Sequence, residues 1–406
     1  MRRFSAAASS EPASFGRGSA GSTDRVRQGD RTAVRILMLS YEFPPLGGGG
    51  AGVAHGLSAQ LVGMGHEVDV LTMGYRDLPR LEEIEGVRVH RVPCVRLRET
   101  YCTMGEQATY LAMALPYALR LVRKHRYDVN HTHFILPDGL LSMILHRLTG
   151  LPYLVTSHGS DVPGYNPHRF RRAHRLLAPA WRAIVEDAGE VICPSESLRS
   201  LVLRAKADAR TAVIPNGIDS HRFLSTDAKE KRILVVTRML ERKGIQFFLR
   251  AIEGLDLEHE VDIVGDGPYL EALEALAGEL RLNVSFHGWL DRASAELTRL
   301  YETAQIYVFP SEAENFPIVL LEAMSAGTAI ITTKGTGCAE VVGDAALLVE
   351  PRNTLAIREA LTRLVRDPEL CRRLGRSARV RVEEEFGWPA VASRYLERYS
   401  EHARTP

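Results

Sequence analysis

The sequence predicts an α/β protein made of two doubly wound parallel-sheet domains of similar size that face an interdomain cleft. Three observations support this. Short apolar strands alternate with helical stretches along nearly the whole chain, a pattern that implies a parallel sheet covered by helices on both faces. The pattern restarts after a turn cluster, Pro215-Asn-Gly-Ile-Asp219. The polar and glycine-rich clusters follow strand ends, which is where open parallel sheets bind ligands.

In the first half, Val34 to Ser40 reads as a buried strand and Pro44 to Gly50 as a glycine-rich loop. A helix follows from about Gly52 to Met64, with Val53, Leu57 and Leu61 on one face. Strands are expected at Glu67 to Thr72, Gly86 to Val92, Asp128 to Phe134, Tyr153 to Ser157 and Val191 to Cys193. Helices are expected at Met104 to His125, Gly139 to Leu148 and His168 to Ala188. In the second half, strands are expected at Arg232 to Thr237, Val261 to Val264, Val284 to Phe286, Ile306 to Phe309 and Ala329 to Thr332, with helices between them. Residues 1–30 are rich in Ser, Ala, Gly and Arg and read as a disordered tail or a misassigned start. The domains are then 31–215 and 216–387, with 388–406 a C-terminal helix that can cross back to the first domain.

Composition excludes several classes. The 406 residues carry a net charge of +1, so no whole-molecule field selects a partner. Five cysteines without a CxxC pair argue against a disulfide framework or a zinc site and fit a reducing cytoplasm. No run of about 18 apolar residues exists to span a membrane. Basic residues concentrate between Arg169 and Arg175, followed by Leu176, Leu177 and Trp181, and again at Arg120, Arg123, Lys124 and Arg126. Such interleaving suits either an anionic lipid surface or a plain solvated face. Stacking aromatics do not accompany these charges, so nucleic acid is not an expected partner.

The candidate chemistry lies at strand ends. The Gly47–Gly50 run lets backbone approach a phosphate or sugar, or simply closes a tight turn. Arg238 and, at the next helix start, Lys243-Gly244 offer two cations to a diphosphate. Gly265-Asp-Gly267-Pro268 reads as a turn. Glu314 sits in the loop after a strand, with the Asn315 and Phe316 amides near a helix start and Pro317 in its first turn. Glu322 falls inside that helix among apolar residues, where a carboxylate is costly without hydrogen-bond donors. His131 and His133 share one face of a strand, and no third ligand completes a metal site with them. His158-Gly159 follows another buried strand, where the imidazole could reach a bound sugar or brace its loop.

From about Arg35 to Leu396 these pieces together resemble the retaining GT-B glycosyltransferases of family four, whose two domains are Rossmann-like. The resemblance rests on the glycine loop, His158-Gly159, Pro215 to Asp219, Arg238 with Lys243-Gly244, Gly265 to Pro268, and Glu314 with seven residues before Glu322. It implies that Arg238 and Lys243 hold the donor diphosphate and stabilise the leaving group. It implies that Glu314 contacts the sugar hydroxyls with help from the Asn315 and Phe316 amides. Glu322 would take the ribose hydroxyls, His158 would lie near the transferred sugar, and Gly49 and Gly50 would approach phosphate or acceptor. Gly288 and Trp289 would border the base. Pro317 stands where many members carry glycine, and it has no N–H to donate.

The implied reaction moves a sugar from a UDP- or GDP-linked donor to an acceptor hydroxyl by front-face substitution, with a donor phosphate oxygen taking the acceptor proton. No cofactor and no metal are implied. The implied acceptor is a lipid-linked or surface glycan, and the implied place of work is the cytoplasm, at the inner face of the plasma membrane. Competing readings are another GT-B enzyme such as a sugar-nucleotide epimerase, or a non-catalytic nucleotide-sugar-binding protein. A dinucleotide oxidoreductase lacks its GxGxxG spacing here.

Overall fold

The computed structural model describes residues 33–99, 101–165, 171–226 and 229–404. The tail expected at 1–30 lies outside the described residues. Strands β1 (Arg35–Leu39), β2 (Glu67–Met73), β3 (Leu81–Ile84), β4 (Val87–Val92), β5 (Val129–His133), β6 (Tyr153–Thr156), β7 (Glu190–Cys193) and β8 (Thr211–Val213) form one sheet, in the order β3-β4-β2-β1-β5-β6-β7-β8. Helices α1 (Gly49–Gly63), α2 (Met104–Lys124), α3 (Asp138–Thr149), α4 (Arg171–Asp187) and α5 (Glu196–Ala205) connect these strands or follow them.

A second sheet takes β9 (Glu230–Val236), β10 (Glu260–Val264), β11 (Ser285–Gly288), β12 (Ala304–Phe309), β13 (Ala329–Thr333) and β14 (Ala346–Val349), in the order β11-β10-β9-β12-β13-β14. Its helices are α6 (Ile245–Ile252), α7 (Leu270–Glu279), α8 (Ala295–Thr303), α9 (Ile318–Ser325), α10 (Gly337–Val342), α11 (Thr354–Arg366) and α12 (Pro368–Arg381). The chain ends in α13 (Trp388–His402). Neighbouring strands are parallel throughout except for the β3–β4 hairpin.

Both faces of each sheet are covered, and the central strands show it in their side chains. Ile36 and Met38 join one core cluster while Leu37 and Leu39 join another. Ile233 and Val235 separate from Leu234 and Val236 in the same way. Successive strand residues point to opposite faces, so a strand buried on both sides reads as an unbroken apolar run. In each sheet the strand order reverses beside the first strand of the lobe, at β1 and at β9. Ligand crevices form outside the carboxyl ends of strands at such switch points.

Three strands escape the sequence reading. Strand β3 alternates exposed and half-buried residues and carries two glutamates, so it offers no apolar run. It pairs with β4 through a two-residue turn, Glu85-Gly86, in which both φ values are positive, as a tight hairpin requires. Strand β8 is only three residues long and lies at a sheet edge. Strand β14, at the other sheet's edge, is mostly half-buried.

A fourth difference concerns α1, which starts at Gly49 rather than near Gly52. Gly49 and Gly50 are therefore its first turn, not loop. The start is tight because a side chain at Gly50 would fall 2.6 Å from the Phe134 ring. Helix propensity disfavours glycine, which is why the sequence places this start too late.

Helix α13 packs against α1 of the first lobe, with Val391, Ala392, Tyr395 and Tyr399 in the same core cluster as Ile36 and Leu57. Its entry is clamped: a Cβ at either Gly56 or Gly217 would overlap the Trp388 indole. Gly56→Val is therefore expected to cost about 1–3 kcal/mol through overpacking. A lower urea midpoint at unchanged slope would show this, and an unchanged midpoint would remove the clamp from the account. For α4, residues 166–170 and the side chains of 171–174 lie outside the described residues, so most of the Arg169 to Arg175 basic group does too. Arg175 and Leu176 are exposed.

Candidate active site

The second lobe supplies a lysine–glutamate pair. After β9, a short 3-10 turn at Glu241–Lys243 brings Lys243 beside the loop that leaves β12. Gly244 (φ +75°) closes this turn, and a Cβ there would overlap the Pro310 carbonyl. The close approach requires glycine. Backbone contacts fasten the two loops together, with Glu312 N–H donating to the Arg242 carbonyl at 2.9 Å. The Lys243 ammonium pairs with Glu314 Oε1, and the Ser311 hydroxyl donates to the same oxygen at 2.6 Å. Both charged side chains are only about one-tenth exposed, and Lys243 Nζ lies 5.2 Å over the Phe309 ring. Arg238, on the strand side of the same turn, is exposed and makes no ion pair among the described residues.

The residues after Glu314 are more engaged than the sequence suggests. Asn315 Oδ1 accepts from Ser195 Oγ of the first lobe at 2.7 Å. The Tyr165 side chain of the first lobe lies beside the Glu314–Asn315 loop. Burial and then the nearby Glu314 charge push the Tyr165 hydroxyl up to about 12. The Phe316 side chain turns into the core, edge-on to Phe386 at 5.5 Å. Pro317 is the residue that precedes α9 rather than part of its first turn.

Glu322 lies within α9 and is 3% exposed. Its cost of burial is met by Arg292, which donates to Oε1 at 2.7 Å, and by the Tyr301 hydroxyl, which donates to Oε2 at 3.0 Å. Arg222 stands 3.6 Å from Oε1. The Glu322 charge holds Arg292 more firmly protonated than an ordinary guanidinium. Sequence reasoning did not find these three partners. They come from three separate segments, and no spacing links them to Glu322.

Gly288 and Trp289 sit at the end of β11. The Gly288 carbonyl accepts from Gly265 N–H at 2.7 Å, and Trp289 is 71% exposed. Gly265-Asp-Gly267 is a turn that packs on the backbone of Thr237 and Met239, either side of Arg238.

The first lobe contributes His158 at the end of β6. Its backbone amide donates to Asp161 Oδ1 at 3.0 Å, and Asp161 also accepts from Ile135 N–H at 2.8 Å. The His158 ring packs against Phe134, stacks on His133 and bonds it at 3.0 Å between Nε2 and Nδ1. A side chain at Gly50 would meet both Phe134 and His158, whereas one at Gly49 would meet nothing. Thus the start of α1 covers His158 and leaves Gly49 open to the cleft.

Several contacts join the lobes here. Tyr165, packed over Gly159, reaches the Glu314 loop. A side chain at Gly52 would fall 3.4 Å from the Arg292 guanidinium. Glu340 of α10 accepts from the amides of Glu196 and Ser197 at the start of α5, at 2.6 and 2.9 Å. A carboxylate there meets the positive end of a helix. Beside them runs a cleft of about 1050 Å³, between the α1 face and the Gly217–Arg222 turn. It reaches Gly49, Arg292 and Ile318, while Lys243, Glu314 and His158 are not in its walls. The site chemistry and this cleft therefore adjoin but do not coincide.

The three histidines carry a pH signature. Burial depresses His131 to about 3 and His158 to about 4, and holds His133 well below the usual imidazole range. Free imidazole titrates near ~6.5. Below that pH the unfolded chain binds protons that the native state does not. Their contribution to stability is thus complete above about 6.5 and is lost as pH falls. His131→Gln, which can still bond Thr156 and Tyr399, is expected to flatten the loss between pH 7 and 5 by up to one proton, about 1.4 kcal/mol per pH unit. Urea unfolding of both proteins checks this, and parallel pH slopes would contradict it.

Comparison with known proteins identifies the family. The chain matches the Glycosyltransferase Family 4 description over residues 47–222 and Glycosyl transferases group 1 over 218–381. It is 30% identical over 390 residues to an uncharacterized glycosyltransferase of Methanocaldococcus jannaschii, covering 90% of this chain and 98% of that one. It is 29% identical over 393 residues to a glycogen synthase of Mycobacterium tuberculosis, covering 89% and 93%. Among solved structures it is similar to the sucrose-phosphate synthase of Thermosynechococcus elongatus, with a TM-score of 0.77, 26% identity, and coverage of 91% and 98%. The chain therefore belongs to the retaining GT-B glycosyltransferases of family four, the glycosyl transferases group 1, which move a sugar from a nucleotide-sugar donor.

Proposed function

We propose that this enzyme binds a UDP- or GDP-linked sugar between its lobes and passes the sugar to a hydroxyl of a lipid-linked or surface glycan. The observation that carries the reading is the buried Lys243–Glu314 pair, whose loop is joined to the first lobe through the Ser195–Asn315 hydrogen bond. Arg238 and Lys243 take the diphosphate. As the glycosidic bond breaks, negative charge grows on the leaving phosphate, and these cations stabilise it. The diphosphate draws on the Lys243 ammonium, and the Glu314 oxygens then accept from sugar hydroxyls. Glu322 takes the ribose hydroxyls and shares them with Arg292. The acceptor attacks from the face the leaving group departs, and its proton passes to a phosphate oxygen. That geometry retains the anomeric configuration and needs no carboxylate base.

Incubation with a panel of UDP- and GDP-sugars, with and without glycan and lipid-linked acceptors, tests the reading. Nucleoside diphosphate release and the product anomer are followed by NMR. An inverted product, or interconversion of the donor sugar without any acceptor, would sink it.

The enzyme works, in this reading, at the cytoplasmic face of the membrane. Exposed Arg175 and Leu176 support peripheral contact, and no helix among the described residues is long and apolar enough to cross a membrane. Co-sedimentation with phosphatidylglycerol vesicles but not phosphatidylcholine vesicles is expected, and equal recovery with both would count against it.

A further inference from the structure

His133 is buried and lies one strand away from His158. One of its ring nitrogens, Nδ1, bonds His158 Nε2 at 3.0 Å. The other, Nε2, is buried and has no partner among the described residues. The neighbouring His131 cannot supply one. Its ring lies 4.6 Å from His133, but its nitrogens are taken by Thr156 Oγ1 at 2.8 Å and the Tyr399 hydroxyl at 2.7 Å.

Two hydrogen placements satisfy the His133–His158 bond. If His158 Nε2 carries the hydrogen, His133 must carry its own on Nε2, which strands a donor in the core. If His133 Nδ1 carries the hydrogen, His133 Nε2 is only an unfilled acceptor. Orphaned buried N–H groups are rarer and costlier than under-used acceptors. A neutral imidazole has one donor and one acceptor nitrogen, so fixing one fixes the other.

We infer that His133 is a positioning residue: it donates from Nδ1 to His158 Nε2 and thereby locks the hydrogen of His158 on Nδ1. His158 is then an obligate hydrogen-bond donor. Resting on the reading that His158 meets the transferred sugar, this means that it donates to a sugar hydroxyl oxygen and does not act as a proton acceptor. The depressed affinity of both rings for a second proton keeps the arrangement neutral at physiological pH.

Long-range proton–nitrogen NMR correlation on the full chain, labelled with 15N-histidine, tests the lock directly. His158 is identified by the signals lost in His158→Asn. The expected wild-type spectrum has a protonated Nδ1 and a bare, hydrogen-bonded Nε2. His133→Phe keeps a ring in place but removes the donor, so the His158 Nε2 resonance should shift to the unbonded position. His133→Asn, which offers an amide N–H, should shift it back. A protonated Nε2 in the wild type overturns the inference, as does an Nε2 resonance unmoved in His133→Phe. Turnover of His158→Asn decides the underlying reading separately. Full activity there would remove His158 from the sugar site while leaving the lock, as read by NMR, in place.

Discussion

Lys243→Ala is expected to lower turnover by about 10²–10³-fold, the usual scale for losing a preorganised charge at a leaving group. The argument is geometric. Lys243 is held by a short turn closed by Gly244, over the Phe309 ring and against Glu314. It costs little reorganisation when charge develops nearby. The same substitution leaves Glu314 with Ser311 as its remaining donor in a nearly buried setting, so thermal stability should fall as well. Lys243→Arg should not restore activity, because a planar guanidinium does not fit a site shaped around a compact ammonium. Steady-state kinetics with any accepted donor, alongside circular dichroism to establish folding, decide the matter. A folded Lys243→Ala enzyme with full turnover would remove this pair from the chemistry.

Glu322→Ala is expected to weaken nucleoside diphosphate binding by roughly 10–100-fold, equivalent to losing one or two hydrogen bonds to a charged group. It should also destabilise the fold by about 1–3 kcal/mol, because the buried Tyr301 hydroxyl loses its acceptor. Arg292 and Arg222 lose their carboxylate together. Arg292→Ala separates the two roles. It releases Glu322 from its ligand-free partner and keeps the carboxylate for ribose, so the loss of affinity should be smaller than for Glu322→Ala. Titration calorimetry with UDP and GDP reads both variants. Unchanged affinity in Glu322→Ala would make Glu322 a purely internal brace.

The strands at the centre of each sheet were legible because both faces are buried. Arg35–Leu39 and Glu230–Val236 are runs of large aliphatic residues after their first positions, and no partner is needed to recognise them. Three of the four edge strands were not; Leu81–Ile84, for one, alternates and carries charge on its open side. The order of polar clusters along the chain was equally readable, because each follows a strand end. Lys243 and Glu314 are 71 residues apart, yet β9 and β12 are adjacent.

Partnership was a different matter. A linear pattern shows that Glu322 needs donors, since a carboxylate amid apolar helix residues is costly. It does not name Arg292, Tyr301 and Arg222, which long-range packing brings together. Nor does it show that Asn315 bonds Ser195 of the other lobe, or that His133 has a single bonded nitrogen facing His158. Periodicity and strand-end chemistry are local properties, so the chain carries them openly. Which charges meet, and which hydrogens are locked, depends on side chains from distant segments converging in a buried volume, and only the folded molecule decides that.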